Sequence, residues 1–232
     1  MADGGISVLL DPAQATSGPE LASQIAAQTS GADAELGEAL AAIVTEPVVT
    51  LDVELHVGAR RISVPGYIGD AGAALLVPTT ADPTVRELAV CDASMVPHQI
   101  ARLVGLGPRP HQEESGAFLA TRTAFETLVA SGVAHEPAAL VDELGLEEDV
   151  PPAWLASAFA ADGYHWRVGA ASTDRLDYRI DNTCEVVDSG PLGLWAVLPL
   201  PHDPAQLAMA TATPRVVWRL LSTLLSEAPE PS

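Results

Sequence analysis

The sequence predicts an α/β chain of the α+β kind: one domain with internal pseudo-two-fold symmetry, built on a central, largely antiparallel sheet. Three observations carry this. The chain resembles itself at offsets of 117 to 121 residues. Arg61-Ile62 recurs as Arg179-Ile180, Asp70-Ala71-Gly72 as Asp188-Ser189-Gly190, and Asp82-Pro83 as Asp203-Pro204. Pro97 leads to Arg102-Leu103 as Pro214 leads to Arg219-Leu220. The matches keep their order, as a duplicated unit does, and two copies are too few for a solenoid. Next, Val49, Leu51, Val53, Leu55 and Val57 alternate with Thr50, Asp52, Glu54 and His56. That period marks a strand with one buried and one wet face. Finally, each half reads strand, helices, strand meander, helix. Hairpin connections make the strands antiparallel, and halves paired edge to edge would remove two exposed edges.

The first half begins with a short strand over residues 6–10. Gly18-Pro19-Glu20 opens a helix to about Gln28. Asp33 caps a second helix, with Leu36, Leu40 and Ile43 on one face, and Pro47 ends it. The alternating strand follows over 49–57, and Gly58-Ala59 turns it into a strand over 60–68. Gly69-Asp70-Ala71-Gly72 turns again into 73–77. Residues 85–90 form the fourth strand of this meander and 93–104 a helix. The Gly- and Pro-rich stretch 105–114 reads as a surface crossing between repeats of about 1–105 and 113–226. The second half repeats the order. A strand over 116–121 precedes helices at about 124–131, 136–145 and 152–161. A meander over 165–170, 178–187 and 192–198 leads to a weaker strand over 207–211. Pro214 opens the closing helix to Leu225, and 227–232 read as a frayed tail.

At 232 residues the chain can bury a sizeable core. Its apolar content is 48%, broken by Gly and Pro, and no apolar run reaches the roughly 18–20 residues of a membrane span. Met1-Ala2-Asp3-Gly4-Gly5 carries no basic signal-peptide region, so the expected location is the cytoplasm. The net charge is −20, and all eleven basic residues are Arg. Such acidity argues against nucleic acid and anionic membrane. Cys91 and Cys184 are expected as reduced core residues.

Catalytic motifs are absent. There is no Lys for a phosphate-binding loop, and Gly105-Leu106-Gly107 lacks the third glycine of a dinucleotide fingerprint. His56, His98, His111, His135, His165 and His202 show no zinc-ligand spacing, so no metal and no cofactor are expected. His56 falls on the wet phase of its strand. The acidic run around Leu144-Gly145-Leu146 reads as a solvated helix end. Trp166 and Trp195 sit on strands and belong to the core. Trp154, at a helix start after Pro151-Pro152-Ala153, is either core or an exposed partner anchor.

A family resemblance rests on diffuse stretches. These are residues 35–47 ending in Pro47, the strand 48–57, and Arg60-Arg61-Ile62-Ser63-Val64. To them add the Gly69-Asp70-Ala71-Gly72 turn, the helix running into Gly105-Leu106-Gly107-Pro108, Trp195-Ala196-Val197-Leu198-Pro199 and Arg219-Leu220-Leu221. Together they resemble the EspG family, the cytosolic chaperones of ESX (type VII) secretion in mycobacteria and related actinobacteria. The resemblance implies a quasi-symmetric sheet with two helical bundles. It implies binding rather than catalysis, with PE–PPE heterodimers held by covering the apolar tip of a helical hairpin. It implies partner contacts at His56, Val57, Gly58, Ala59 and Arg60, to which Trp154 is added as the candidate anchor. The turn at Gly58-Ala59 is tighter than the family's frequent longer loop, and the first thirty residues are short and rich in small residues. The free protein is expected to be a monomer or weak homodimer. Two further readings stand beside this one: a hydrolase or small-molecule-binding enzyme with its site between the halves, and an interaction scaffold of the same secretion apparatus.

Overall fold

The computed structural model describes residues 6–9, 18–29, 34–58, 60–79, 85–109, 116–131, 137–146, 150–160, 163–173 and 179–226. The strands are β1 (Ile6–Leu9), β2 (Val49–Val57), β3 (Arg60–Gly69), β4 (Gly72–Pro78), β5 (Val85–Cys91), β6 (Ala117–Thr121), β7 (Tyr164–Thr173), β8 (Arg179–Asp188), β9 (Leu194–Leu200) and β10 (Asp203–Ala212). The helices are α1 (Gly18–Gln28), α2 (Ala34–Thr45), α3 (Val96–Leu103), α4 (Arg122–Ser131), α5 (Pro137–Glu143), α6 (Pro152–Ala158) and α7 (Pro214–Ser226).

All ten strands form one sheet, in the order β1-β5-β4-β3-β2-β7-β8-β9-β10-β6. Each strand pairing is antiparallel. Outward from the central β2–β7 pair, one side reads β3, β4, β5, β1 and the other β8, β9, β10, β6. The two sides thus share one succession about a pseudo-two-fold axis. Val53 pairs with Val168 at this centre, and neither is exposed.

Directly opposed residues share a face of the sheet. On one face Leu51, Val53 and Leu55 of β2 stand beside Ala170, Val168 and Trp166 of β7. Here α3 and α7 close the core through Val96, Ile100, Val217, Leu221 and Leu224. On the other face the helices stand apart. Helices α1 and α2 cover Ala74, Leu76 and Leu88 with Leu21, Ile25, Leu40, Ile43 and Val44. Helices α4, α5 and α6 cover Phe118, Trp195, Val197, Leu207 and Met209 with Phe125, Leu128, Leu140, Leu155 and Ala158. The polar phase of β2 lies between these two bundles. Burying Trp166 and Trp195, each at 1% exposure or less, makes them large apolar contributors to the two layers.

Several expectations change. Leu36 is exposed, and Gly37 takes its place on the inner face of α2. The reason is a close approach: a Cβ on Gly37 would stand 1.9 Å from Thr29 Oγ1. Val57 also faces solvent, because β2 ends there at the hairpin tip. The helix expected over 93–104 starts with a 3-10 turn at Ala93–Met95, and α3 proper begins at Val96 with Pro97 in its first turn. The weak strand expected at 207–211 is ten residues long, because it pairs on both sides with β9 and β6. Cys91 is half-buried and Cys184 buried, both unpaired. Burial pushes the Cys184 thiol up to about 12, with the Glu185 charge adding to it.

Within 105–114 the described residues are 105–109, and these make specific contacts. Gly105 takes a φ of 59°, and Leu106 N–H donates back to Ala101 O at 2.8 Å, closing α3 in a left-handed C-cap. The chain then delivers Arg109 onto Asp188 at the end of β8. Residues 110–115, Ala59, Asp33, Met1–Gly5, His111, His135, the acidic positions 147–149 and the tail 227–232 lie outside the described residues. Among the described residues no helix is long and apolar enough to cross a membrane.

Candidate functional site

The polar phase of β2 forms the floor of the surface between the bundles. Register fixes its rows. One row runs Arg61 (β3), His56 (β2), His165 (β7), Val187 (β8) and Trp195 (β9). The next runs Ser63, Glu54, Arg167 and Glu185, and a third runs Pro65, Asp52, Gly169 and Thr183. Asp52, Arg61, Arg167 and Thr183 are exposed, so the centre of the sheet is open to solvent on this face.

Hydrogen bonds order these side chains. Arg61 donates to Glu54 through Nη2. Ser63 Oγ donates to Asp52 Oδ1 at 2.8 Å. His165 Nε2 lies 2.8 Å from Glu185 Oε1, while its Nδ1 is buried without a partner among the described residues. The His56 and His165 rings stand 5.2 Å apart, and Phe125 of α4 packs edge-on against His165 at 5.5 Å. Burial raises the Asp52 carboxyl, and the neighbouring Glu54 adds to the rise against Ser63 and Arg61. Burial also pushes Glu54 up, but the hydrogen bond and charge of Arg61 outweigh it, and the net shift is downward. Burial lowers the His56 imidazole, helped by the adjacent His165.

Chemically this is a polar surface whose charges are ordered by hydrogen bonds. Among the described residues neither imidazole has a hydroxyl or thiol within hydrogen-bond reach to activate, and no three of His, Cys, Asp and Glu gather as metal ligands.

The expected partner-contact residues take up two positions, the β2–β3 tip and helix α6. His56, Val57, Gly58 and Arg60 form the β2–β3 tip, where Gly58 holds a φ of 56° and open space surrounds it. Ala59 lies outside the described residues. Trp154 stands on α6, half-buried, with its ring 6.4 Å from Trp195 and packed over Gly116. Trp195 shares the row of His56 three strands away, roughly 14 Å at the usual strand spacing. The structure therefore puts His56 and Trp154 on one face without bringing them into contact, while Val57 and Arg60 alternate to the opposite face of the sheet at its end.

A further residue belongs beside them. Strand β8 ends at Asp188 opposite Tyr164, the residue just before His165, so the Gly190–Leu192 turn lies at the same end of the sheet as the β2–β3 tip. Ser157 Oγ of α6 donates to Leu192 O at 3.0 Å. Val57 and Leu192, at 49% and 51%, are the two most exposed large apolar residues among those described. Local sequence pattern does not single out Leu192 as a contact residue. Its signal was a lone apolar residue inside Gly190-Pro191-Leu192-Gly193, a segment too rich in turn residues to bury it.

The chain matches no protein-family model, and no curated protein is similar to it in sequence. In structure it is similar to the Mycobacterium tuberculosis type VII secretion system chaperone EspG5, solved in complex with a PE25-PPE41 dimer. The TM-score is 0.53 at 15% identity, over 92% of this chain and 86% of that one. At this identity the likeness establishes a shared fold.

Proposed function

We propose that this chain is a cytosolic chaperone or adaptor of a type VII (ESX) secretion pathway, of the EspG kind. In this reading it holds a PE–PPE-type helical-hairpin substrate, covers the apolar tip and keeps it soluble for export. The observation that carries the reading is the fold likeness, over 92% of this chain, to a chaperone solved with such a dimer. The open face between the bundles supports it, and Val57 and Leu192 are exposed at one end of the sheet, Val57 on the opposite phase of β2. An exposed apolar tip on a free substrate drives aggregation. A partner with a net charge of −20 lends solubility to the complex.

The contact set is His56, Val57, Gly58, Ala59 and Arg60 at the tip, Trp154 on α6, and Leu192. The apolar members supply buried area, and Arg60 and His56 supply a polar rim. The two-repeat organisation of about 1–105 and 113–226 belongs to the same proposal: an ancestral unit was duplicated, and its copies now share one sheet. Superposing the two segments tests that part.

Co-expression with a PE–PPE pair from the same genome tests the binding. The pair co-elutes with the wild-type chain, and Val57→Asp with Leu192→Asp abolishes co-elution while the variant stays folded. A pair that never co-elutes, or that binds the double variant equally, sinks the reading.

A further inference from the structure

Helices α3 and α7 cover the sheet face opposite the open surface. Their inner residues are ordinary core. Their outer residues are not ordinary for this chain. The protein carries 31 Asp and Glu, yet neither α3 nor α7 contains one. Together they hold Arg102, Arg215 and Arg219, three of the eleven basic residues, all exposed. None of the three forms an ion pair with a described residue.

These arginines share one surface. The His98 ring of α3 meets the Trp218 indole of α7 edge-on, with centroids 4.6 Å apart. Arg102 lies one turn beyond His98 on α3. Arg215 and Arg219 lie one turn apart on α7 and bracket Trp218. Val216 is exposed at 43% beside them. The outcome is a basic strip with an aromatic seam and an apolar edge, on a protein of net charge −20.

We propose that the α3–α7 face docks an acidic peptide segment, bearing apolar side chains, on a partner protein. Charge complementarity carries the choice of occupant. Guanidinium groups with no ion pair among the described residues present the fork that carboxylates accept from two nitrogens. Trp218 and Val216 offer the apolar contact that an anchored peptide needs. Nucleic acid is the poorer fit. A long polyanion would extend past the strip into the field of a strongly acidic protein, whereas a short acidic segment stays within it. The strip lies on α3 and α7 and uses none of the residues of the proposed substrate contact set, and the inference does not depend on that reading.

The test uses the full chain and a short fluorescent peptide of alternating Glu and Leu, followed by anisotropy. The wild type binds it at low salt, and binding weakens as salt rises. Arg102→Glu, Arg215→Glu and Arg219→Glu together weaken binding about tenfold or more, from three exposed charge contacts. Replacing the same three with Gln gives a smaller loss. Thermal midpoints of both variants stay near wild type, which separates lost docking from lost fold. No binding by the wild type, or equal binding by the Glu variant, overturns the inference. So does single-stranded oligouridylate binding more tightly than the peptide through the same arginines, which would make the strip a nucleic-acid surface.

Discussion

Arg109 closes on Asp188 across the junction of the two halves, donating from Nε to Oδ1 at 3.1 Å and from Nη2 to Oδ2 at 2.5 Å. Asp188 is fully buried, and Gly190 N–H also donates to its Oδ1 at 2.9 Å. Tyr164 OH donates to Val104 O at the end of α3 and stands 3.0 Å from Asp188 Oδ2. One carboxylate thus ties the exit of the first half to the β8 end and the Gly190–Leu192 turn of the second. Arg109 is held charged by this hydrogen bond, which raises its guanidinium further.

Removing Arg109 strands a buried carboxylate. Arg109→Ala is expected to cost about 3–5 kcal/mol, the usual result of breaking a buried pair from one side. The double variant with Asp188→Ala should cost less than the sum of the singles. Urea denaturation of the four proteins measures this. A cost for Arg109→Ala within about 1 kcal/mol, the range of an exposed pair, would show that the junction is not locked.

The histidine seam sets a pH dependence. His56 faces Glu54 and Arg61 on its own side and His165, Arg167 and Glu185 across the β2–β7 junction. Its folded pKa lies below the ordinary value, so folding disfavours the proton. The stability it contributes is present above about pH 6.5 and is lost as pH falls through its lowered value. Glu54, also lowered, acts in the same sense at lower pH, and the raised Asp52 opposes it. Between about pH 7.5 and 5.5, where only imidazole titrates among ordinary side chains, the urea midpoint should fall with acidification. His56→Gln should make that slope shallower. An unchanged slope in the variant would assign the dependence elsewhere.

Gly37 and Thr29 form a tight crossing between α1 and α2. Thr29 Oγ1 also donates to Ile25 O at 2.8 Å, which fixes its rotamer against the glycine. Gly37→Ala should therefore destabilise by about 1–3 kcal/mol through overpacking, although alanine is the better helix former. Adding Thr29→Ala removes the obstructing hydroxyl and should recover part of the loss. A Gly37→Ala variant more stable than wild type would refute the crossing.

Much of the fold is written locally. The alternation of 49–57 names both faces of β2, and Gly58 and Gly72, each at positive φ, mark turns where expected. Pro97 and Pro214 stand at the starts of α3 and α7 because a missing N–H costs nothing there. What local pattern does not contain is contact between distant elements. Leu36 has the right spacing for the inner face, yet the α1–α2 crossing turns that face toward Gly37. Arg109 looks like linker polarity until Asp188, 79 residues on, meets it. Leu192 acquires meaning only when the β8 end is laid beside the β2–β3 tip. Trp154 reads from its sequence position as either core or anchor, and its half-buried ring over Trp195 has a share of each environment.

Hydrogen exchange on the full chain, alone and with a PE–PPE pair, tests the central claim most directly. The account predicts slowed exchange at residues 54–61 and at the turn around Leu192, at one end of the sheet. Unchanged exchange at both places, with protection confined to α3 and α7 or absent, would contradict it.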